Sequence, residues 1–541
     1  MTGAEGLVYK RGIRPCAWGR PRLCADPRGG GNARIARGLV KGLHQPNCHR
    51  HDYTIYDYIC RNATLYPNDD CIVFGDKRLT HKQYKEKCDH LAAGLIKAGA
   101  EKGDRLGVVA HNCDEFMILY GAAAKIGAIV LPVNWRFQQD EVEYVLNDCT
   151  PKFLFAGPDY RETVAKIGGG DAGDGFELFS SLYTEEDADQ EYDIPADSGF
   201  VIIHTAAVEG KPRGALLSQQ NVVVCNMGMM IEWGFTKTDC HICILPLFHI
   251  AGLALAMAVM HAGGKNVILE RFDPELTLRL IEKEKGTAFF NFAPILKMLM
   301  DKYEEGSYDI SSLRAVSGLD HPDNVKRFLE LAPNAQYMTG FGQTEVMGVT
   351  GGLASERPGS AGRPSPFVRV ALFDDYDNEV PVGEPGEICA RGPAVFLGYW
   401  GRDEDNAYTF RNGWHHTGDI GRFDEDGYLY YVKRKAQKEL IKPGGENVYP
   451  AEVEKVILEH EAVAETSVIG VPDKEWGEAI KAICVLKPGK TLEAQELIDF
   501  VASKIARYKK PKHVVFVDSL PKTDDGEIDR DQLKKDHGGK Y

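Results

Sequence analysis

The chain contains no apolar run long enough to cross a bilayer. Its longest, ILPLFHIAGLALAMAVM at 244–260, falls short of the roughly 20 residues a spanning helix needs and includes His249. A buried helix is expected there, without stable membrane insertion. Cysteine lacks a framework: the 13 residues are odd in number and irregularly spaced, as in the reduced thiols of a cytoplasmic protein. The one tight pair, Cys240 and Cys243, has no second CxxC to complete a zinc site, and on a strand residues three apart face opposite sides. Positive charge is outweighed, with a net charge of −15 and no basic stripe in the body, which argues against a nucleic-acid partner. Repeats, low-complexity tracts and linkers rich in Ser or Pro are also missing.

Residues 1–51 depart from this pattern, with ten Lys/Arg against two acidic residues and clusters such as PRGGGN. They read as a basic extension: a transit-type leader, a disordered tail or a start site assigned too early. They are expected to be poorly ordered and to carry no site.

With 541 residues the chain exceeds one compact core, so two or more domains are expected. From residue 52 apolar strands alternate with amphipathic helices: RLGVVAH (105–111), a helix over 114–127, AIVLPV (128–133), a helix over 140–148 and KFLFAG (152–157). The alternation resumes over 264–333. This predicts an α/β fold of βαβ units on parallel, doubly covered sheets. After residue 365 short β segments with Gly/Asp turns suggest a small barrel-like part, and 434–541 read as a small α+β unit. The expected domains are 52–432 and a mobile 433–541, hinged at Lys433.

The chemistry-bearing stretches are individually weak. HTAAVEGKPRG (204–214) follows the strand GFVII, and Gly210, Lys211 and Gly214 suggest backbone amides and a cation aimed at phosphates. It is no Walker A loop, since proline follows Lys211. In order after it come LPLFHIAGL (245–253), SSLRAVSGLD (311–320), YMTGFGQTE (337–345), GEICARGPAVFLGYW (386–400), GWHHTGDIG (413–421), YVKRK (431–435), IKPGGENVYPAEVE (441–454) and LPKTDDGEIDR (520–530).

This ordered set resembles the adenylate-forming superfamily, which includes acyl-CoA synthetases, firefly luciferase and peptide-synthetase adenylation domains. The resemblance covers about residues 52–541, and PVNWRF (132–137) is closest to fatty-acid and carnitine-type CoA ligases. It implies an AMP-forming acid–CoA ligase. A small to medium carboxylic acid attacks the α-phosphate of ATP to give acyl-AMP, and coenzyme A then displaces AMP. Both reactants of the first step are anions, so cations and rigid positioning are needed.

By resemblance, Glu345 would ligate Mg²⁺ and Thr344 would hydrogen-bond the α-phosphate. Asp419 would hold the ribose hydroxyls, Arg434 would contact the ribose, and Gly318 and Leu319 would flank an adenine stacked on Phe341, with Gly342 beside it. Thr205, Gly210 and Lys211 would remain of the phosphate loop. His249 would stand at the acyl gate, and Lys442, Gly444, Gly445 and Glu446 would line the CoA tunnel. No carrier module follows residue 541, so CoA is the expected acceptor; a homodimer is left open.

Two departures fall on the triphosphate side. The family loop is rich in Ser, Thr and Gly, whereas Ala206, Ala207, Val208 and Glu209 stand here; hydrogen bonds to charged groups contribute about 1.5–3 kcal/mol each. Near the C-terminus, where the family places a lysine that bridges carboxylate and α-phosphate, this chain has Glu527. Lys522, Lys435 and Lys438 are candidates to stand in. Besides the ligase, two readings stay open: an enzyme working mainly on acyl-CoA with AMP or on preformed acyl-adenylate, and a non-catalytic nucleotide or acyl-CoA binding protein.

Overall fold

The computed structural model describes residues 52–167, 181–205, 212–434, 440–444, 446–523 and 528–539. The expectations for the basic leader, for Ala206–Lys211, Lys435, Lys438 and Gly445, and for Glu527 itself lie outside the described residues.

Among the described residues the strands form four sheets. One of six strands has Ile129–Val133, Arg105–Val109 and Phe153–Ala156 in parallel register, with Gly199–Thr205 parallel to the first of these and Arg213–Ser218 antiparallel to it in turn. A nine-stranded sheet carries the parallel run Lys265–Ile268, Cys240–Cys243, Ala288–Phe292, Ala315–Leu319 and Gln336–Gln343. The antiparallel hairpin of Gln336–Gln343 with Val346–Leu353 follows, and Arg363–Pro364 forms the edge beyond it. The sequence reading of parallel βαβ layers matches this architecture.

Two helices, Asp114–Ile126 and Ile250–His261, are buried on nearly all sides and correspondingly apolar. In Asp114–Ile126 nearly every residue is buried, and the helix stops at left-handed Gly127 (φ 69°). The run 244–260 corrects the expected helix at its start. The helix spans Ile250–His261, and residues 244–249 form a turn instead. Pro246 interrupts the helical pattern, and the His249 ring caps the helix by accepting the Ala251 N–H at 3.1 Å. No described helix is long and apolar enough to cross a membrane. The CHIC pair lies on a buried strand, where His241 is hydrogen-bonded to Asn266 at 2.8 Å, and the described cysteines are free thiols.

A four-stranded antiparallel sheet follows, of Arg369–Phe373, Gly386–Arg391, His415–Phe423 and Leu429–Arg434. Lys433, the expected pivot, pairs with Ile420 inside this sheet. The last sheet is small: Val463–Asp473 antiparallel to Gly477–Leu486, which runs parallel to His513–Phe516. Strand alternation splits its side chains between two cores. Val468, Ile480, Ala482 and Cys484 pack with Ile441, Val448 and Val453. Ile469, Val471, Ala479 and Ile483 pack with Leu520, Ile528 and Leu533. The loop 441–448 and the hairpin flanking 524–527 therefore lie against opposite faces of one sheet.

Candidate active site

Thr344 and Glu345 occupy the tip of the hairpin, between Gln343 and Val346, which pair across it. Both are buried, and the Glu345 carboxylate accepts the Tyr399 hydroxyl at 2.7 Å. Tyr399 also lies face-on to the Arg213 guanidinium, 4.0 Å from ring centroid to Cζ. The sequence reading assigned no role to either residue, although both sit in quoted motifs, KPRG and FLGYW.

Asp419 is 2% exposed and meets three partners. Gln343 Nε2 donates to one carboxylate oxygen, and the Tyr431 hydroxyl donates to the other at 3.1 Å. Arg434 Nε lies 3.3 Å from that second oxygen, because Asp419 and Arg434 are directly paired in the four-stranded sheet. Behind the turn, buried Glu387 accepts the Gly418 N–H at 2.9 Å and Arg411 Nη2 at 3.1 Å, fixing the HTGD backbone. The Phe341 and Tyr431 rings lie 6.2 Å apart on the same side as Asp419. At the end of strand Ala315–Leu319, Gly318 has φ +155° and presses on the Asn291 carbonyl, where a Cβ would lie 2.0 Å from the oxygen. Leu319 beside it is exposed. The proposed adenosine set, Gly318, Leu319, Phe341, Gly342, Asp419 and Arg434, thus gathers along strands that end near one another.

Residues 441–444 and 446–447 come from the C-terminal part and enter this region. Lys442 is half-buried; desolvation, and then the nearby Arg434, push its pKa down to about 8. Its backbone N–H donates to Glu478 at 2.7 Å. Gly444 adopts φ +62° with its Cα against the Trp476 ring, so a side chain there would collide at 2.6 Å. Glu446 forms an ion pair with Arg136, whose guanidinium stacks over Trp135 at 4.7 Å. Burial holds the His249 imidazole below its ordinary range, and it meets Phe292 edge-on at 6.2 Å.

Between these parts lies an open cleft lined by Asn134, Thr205, His249, Thr344, Glu446 and Tyr508, among others. Thr205 ends its strand opposite Arg213. Lys509 closes one flank, its buried ammonium 2.7 Å from Glu141 and 2.8 Å from Glu452. Of the stand-in cations, Lys522 pairs with Glu465 at 3.2 Å. A Mg²⁺ ion suits this chemistry to a limited degree: Glu345 offers one carboxylate, and that ion commonly takes one or two carboxylates together with substrate phosphates.

The AMP-binding enzyme family model matches residues 59–400, and the AMP-binding enzyme C-terminal domain matches 452–527. A feruloyl-CoA synthase of Amycolatopsis sp is 33% identical over 490 residues, covering 88% of this chain and 98% of that protein. A long-chain-fatty-acid–CoA ligase of Bacillus subtilis (strain 168) is 32% identical over 533 residues, covering 89% and 94%. Among solved structures, an o-succinylbenzoate CoA synthetase of Bacillus subtilis bound with a product analogue aligns with a TM-score of 0.79 at 28% identity, over 90% of this chain and 99% of that one. With a family match over most of its length and relatives that are acid–CoA ligases, this chain belongs to the AMP-binding enzymes, the adenylate-forming superfamily.

Proposed function

We propose that the protein is an AMP-forming carboxylic acid–CoA ligase. It activates an acid as its acyl-adenylate and passes the acyl group to the thiol of coenzyme A. The observation that carries the reading is the loop 441–447 seated in the cleft, with Lys442 beside Arg434 and Asp419 and with Glu446 paired to Arg136 beside His249. This arrangement suits the second half-reaction, in which a thiol reaches the acyl carbonyl while AMP is still held.

In that step Asp419 accepts hydrogen bonds from the ribose hydroxyls, with Tyr431 and Gln343 fixing its carboxylate. Phe341 supports the adenine. The Lys442 ammonium offsets negative charge on the departing phosphate. His249, kept neutral by burial, borders the thiol's path without adding a charge that would repel or trap it. In the adenylation step Glu345, oriented by Tyr399, would hold Mg²⁺, which when bound supplies charge to the α-phosphate. Thr344 would donate to an α-phosphate oxygen.

The hinge lies at the end of the strand containing Lys433. In the arrangement described, Ile441 and Val448 pack on one face of the small sheet and Leu520, Ile528 and Leu533, which flank 524–527, pack on the other. Adenylation would bring residues 524–527 round. Glu527, where the superfamily carries lysine, favours a second reading in which the enzyme works mainly on acyl-CoA with AMP, or on preformed acyl-adenylate. The two half-reactions measured separately decide: acyl-CoA, AMP and pyrophosphate from ATP, CoA and a panel of acids support the ligase. Thioester from synthetic acyl-AMP without ATP-dependent adenylation supports the second reading, and binding without turnover in either direction removes both.

A further inference from the structure

The hairpin of Gln336–Gln343 and Val346–Leu353 divides the site into two sides. Phe341 and Gln343 reach toward Tyr431 and Asp419, so that side belongs to the nucleotide. Gly340 neighbours Phe341 on the strand and therefore faces the other way. It pairs directly with Gly351, and two glycines opposite one another leave a floor without side chains.

One charged group stands over this floor. Glu232 comes from the helix Gln219–Trp233, and a Cβ on Gly351 would lie 2.6 Å from its Oε2. The Ser365 side chain lies near enough to favour its charged form. A carboxylate has about four acceptor positions, and among the described residues Glu232 forms no ion pair. Burial raises its pKa, as expected for a carboxylate held away from water with little compensation. The same helix contributes Met229, Met230 and Trp233, half-buried with Phe290 against the cluster around Leu255 and Ala258. Gly340 lies four residues from Thr344, about 13 Å along the strand. That span suits a ring carried on a short chain, with a hydrogen bond at each end.

Resting on the ligase reading, we propose that Glu232 is a specificity-determining acceptor at the far end of the acyl pocket. It recognises acids that carry a hydrogen-bond donor, a phenolic hydroxyl or an amine, remote from the reacting carboxyl. The apolar walls take the ring, the glycine floor admits it, and the carboxylate reads its distal substituent. An acid with a second carboxylate at that end is excluded by charge.

The test compares 4-hydroxycinnamate and 4-aminocinnamate with cinnamate on the wild type, Glu232→Gln, Glu232→Ala and Ser365→Ala, with thermal melting to verify folding. The wild type is expected to favour the donor-bearing acids at least tenfold in kcat/KM. That ratio should fall toward one in Glu232→Ala, while kcat/KM for cinnamate stays the same or rises. Ser365→Ala, which touches the carboxylate without replacing it, should keep more of the preference. A wild-type ratio near one, or a ratio unchanged in Glu232→Ala, overturns the proposal. If no thioester forms from any acid, affinities of the matching acyl-sulfamoyl adenosines decide it. A hydroxyl preference lost in Glu232→Ala then upholds Glu232 while the ligase reading fails, and equal affinities overturn it. Should Glu232→Ala not fold, the same comparison is read on Glu232→Gln.

Discussion

The Tyr399 hydroxyl donates to the Glu345 carboxylate at 2.7 Å. Burial, and then the Glu345 charge, hold the phenol well above its ordinary range, so it remains a donor throughout the working pH. Tyr399→Phe leaves the carboxylate without this orienting bond, and hydrogen bonds to charged groups are worth about 1.5–3 kcal/mol. Acid-dependent pyrophosphate exchange should fall about ten- to hundredfold and need more Mg²⁺, while thioester formation from supplied acyl-AMP changes little. Equal loss in both half-reactions would place Tyr399 in a general structural role.

Lys442 gives the thioester step a pH signature. Desolvation, and then the Arg434 charge, push its pKa down to about 8, so the ammonium is expected to be charged below that value and neutral above it. The rate from acyl-AMP and CoA, measured at saturating CoA, should therefore decline as pH rises through about 8. In Lys442→Arg the guanidinium stays charged, and the decline should move above pH 10. Lys442→Met should lower the rate at pH 7 at least tenfold.

Glu527→Lys restores the charge that the superfamily carries. If Glu527 occupies the lysine's place, adenylation should accelerate more than tenfold, about 1.4 kcal/mol of barrier, with the thioester step unaltered. An unchanged pyrophosphate exchange rate would mean that another cation already serves.

Glu141 ties the C-terminal part to the large domain in the arrangement seen. Its carboxylate meets buried Lys509 and accepts the Ala506 N–H at 2.9 Å. Glu141→Gln leaves Lys509 with Glu452 as its remaining carboxylate partner, and removing one member of a buried ionic group is costly. Thioester formation should slow about tenfold at fixed CoA, with adenylation equal or faster. Stopped-flow measurement of each half-reaction tests this.

The fold was largely legible in the alternating apolar segments, because two-sided burial of a parallel sheet leaves so strong a pattern. The helix proposed over 244–260 began late because the apolar run continues through a turn, and hydrophobicity alone does not mark where Pro246 and His249 redirect the chain. Candidate positions could be named from the sequence where a proposed role attaches to one residue within a motif, as with Glu345, Asp419 and Lys442. They could not be named where a role depends on distant partners. Arg213 and Tyr399 are 186 positions apart and stack only because two strands pair. Glu232 gave no signal because its meaning comes from two glycines more than a hundred residues downstream, which the pleat places beneath it.

The small C-terminal sheet has a kinetic consequence. On the proposed hinge, one face serves the thiol and the other serves activation, and both cannot be presented at once. Coenzyme A that stabilises the seated loop thereby withholds the activation face from ATP. The two substrates would oppose each other through the hinge without sharing a binding cavity, and high CoA would inhibit the enzyme from the start of its own cycle.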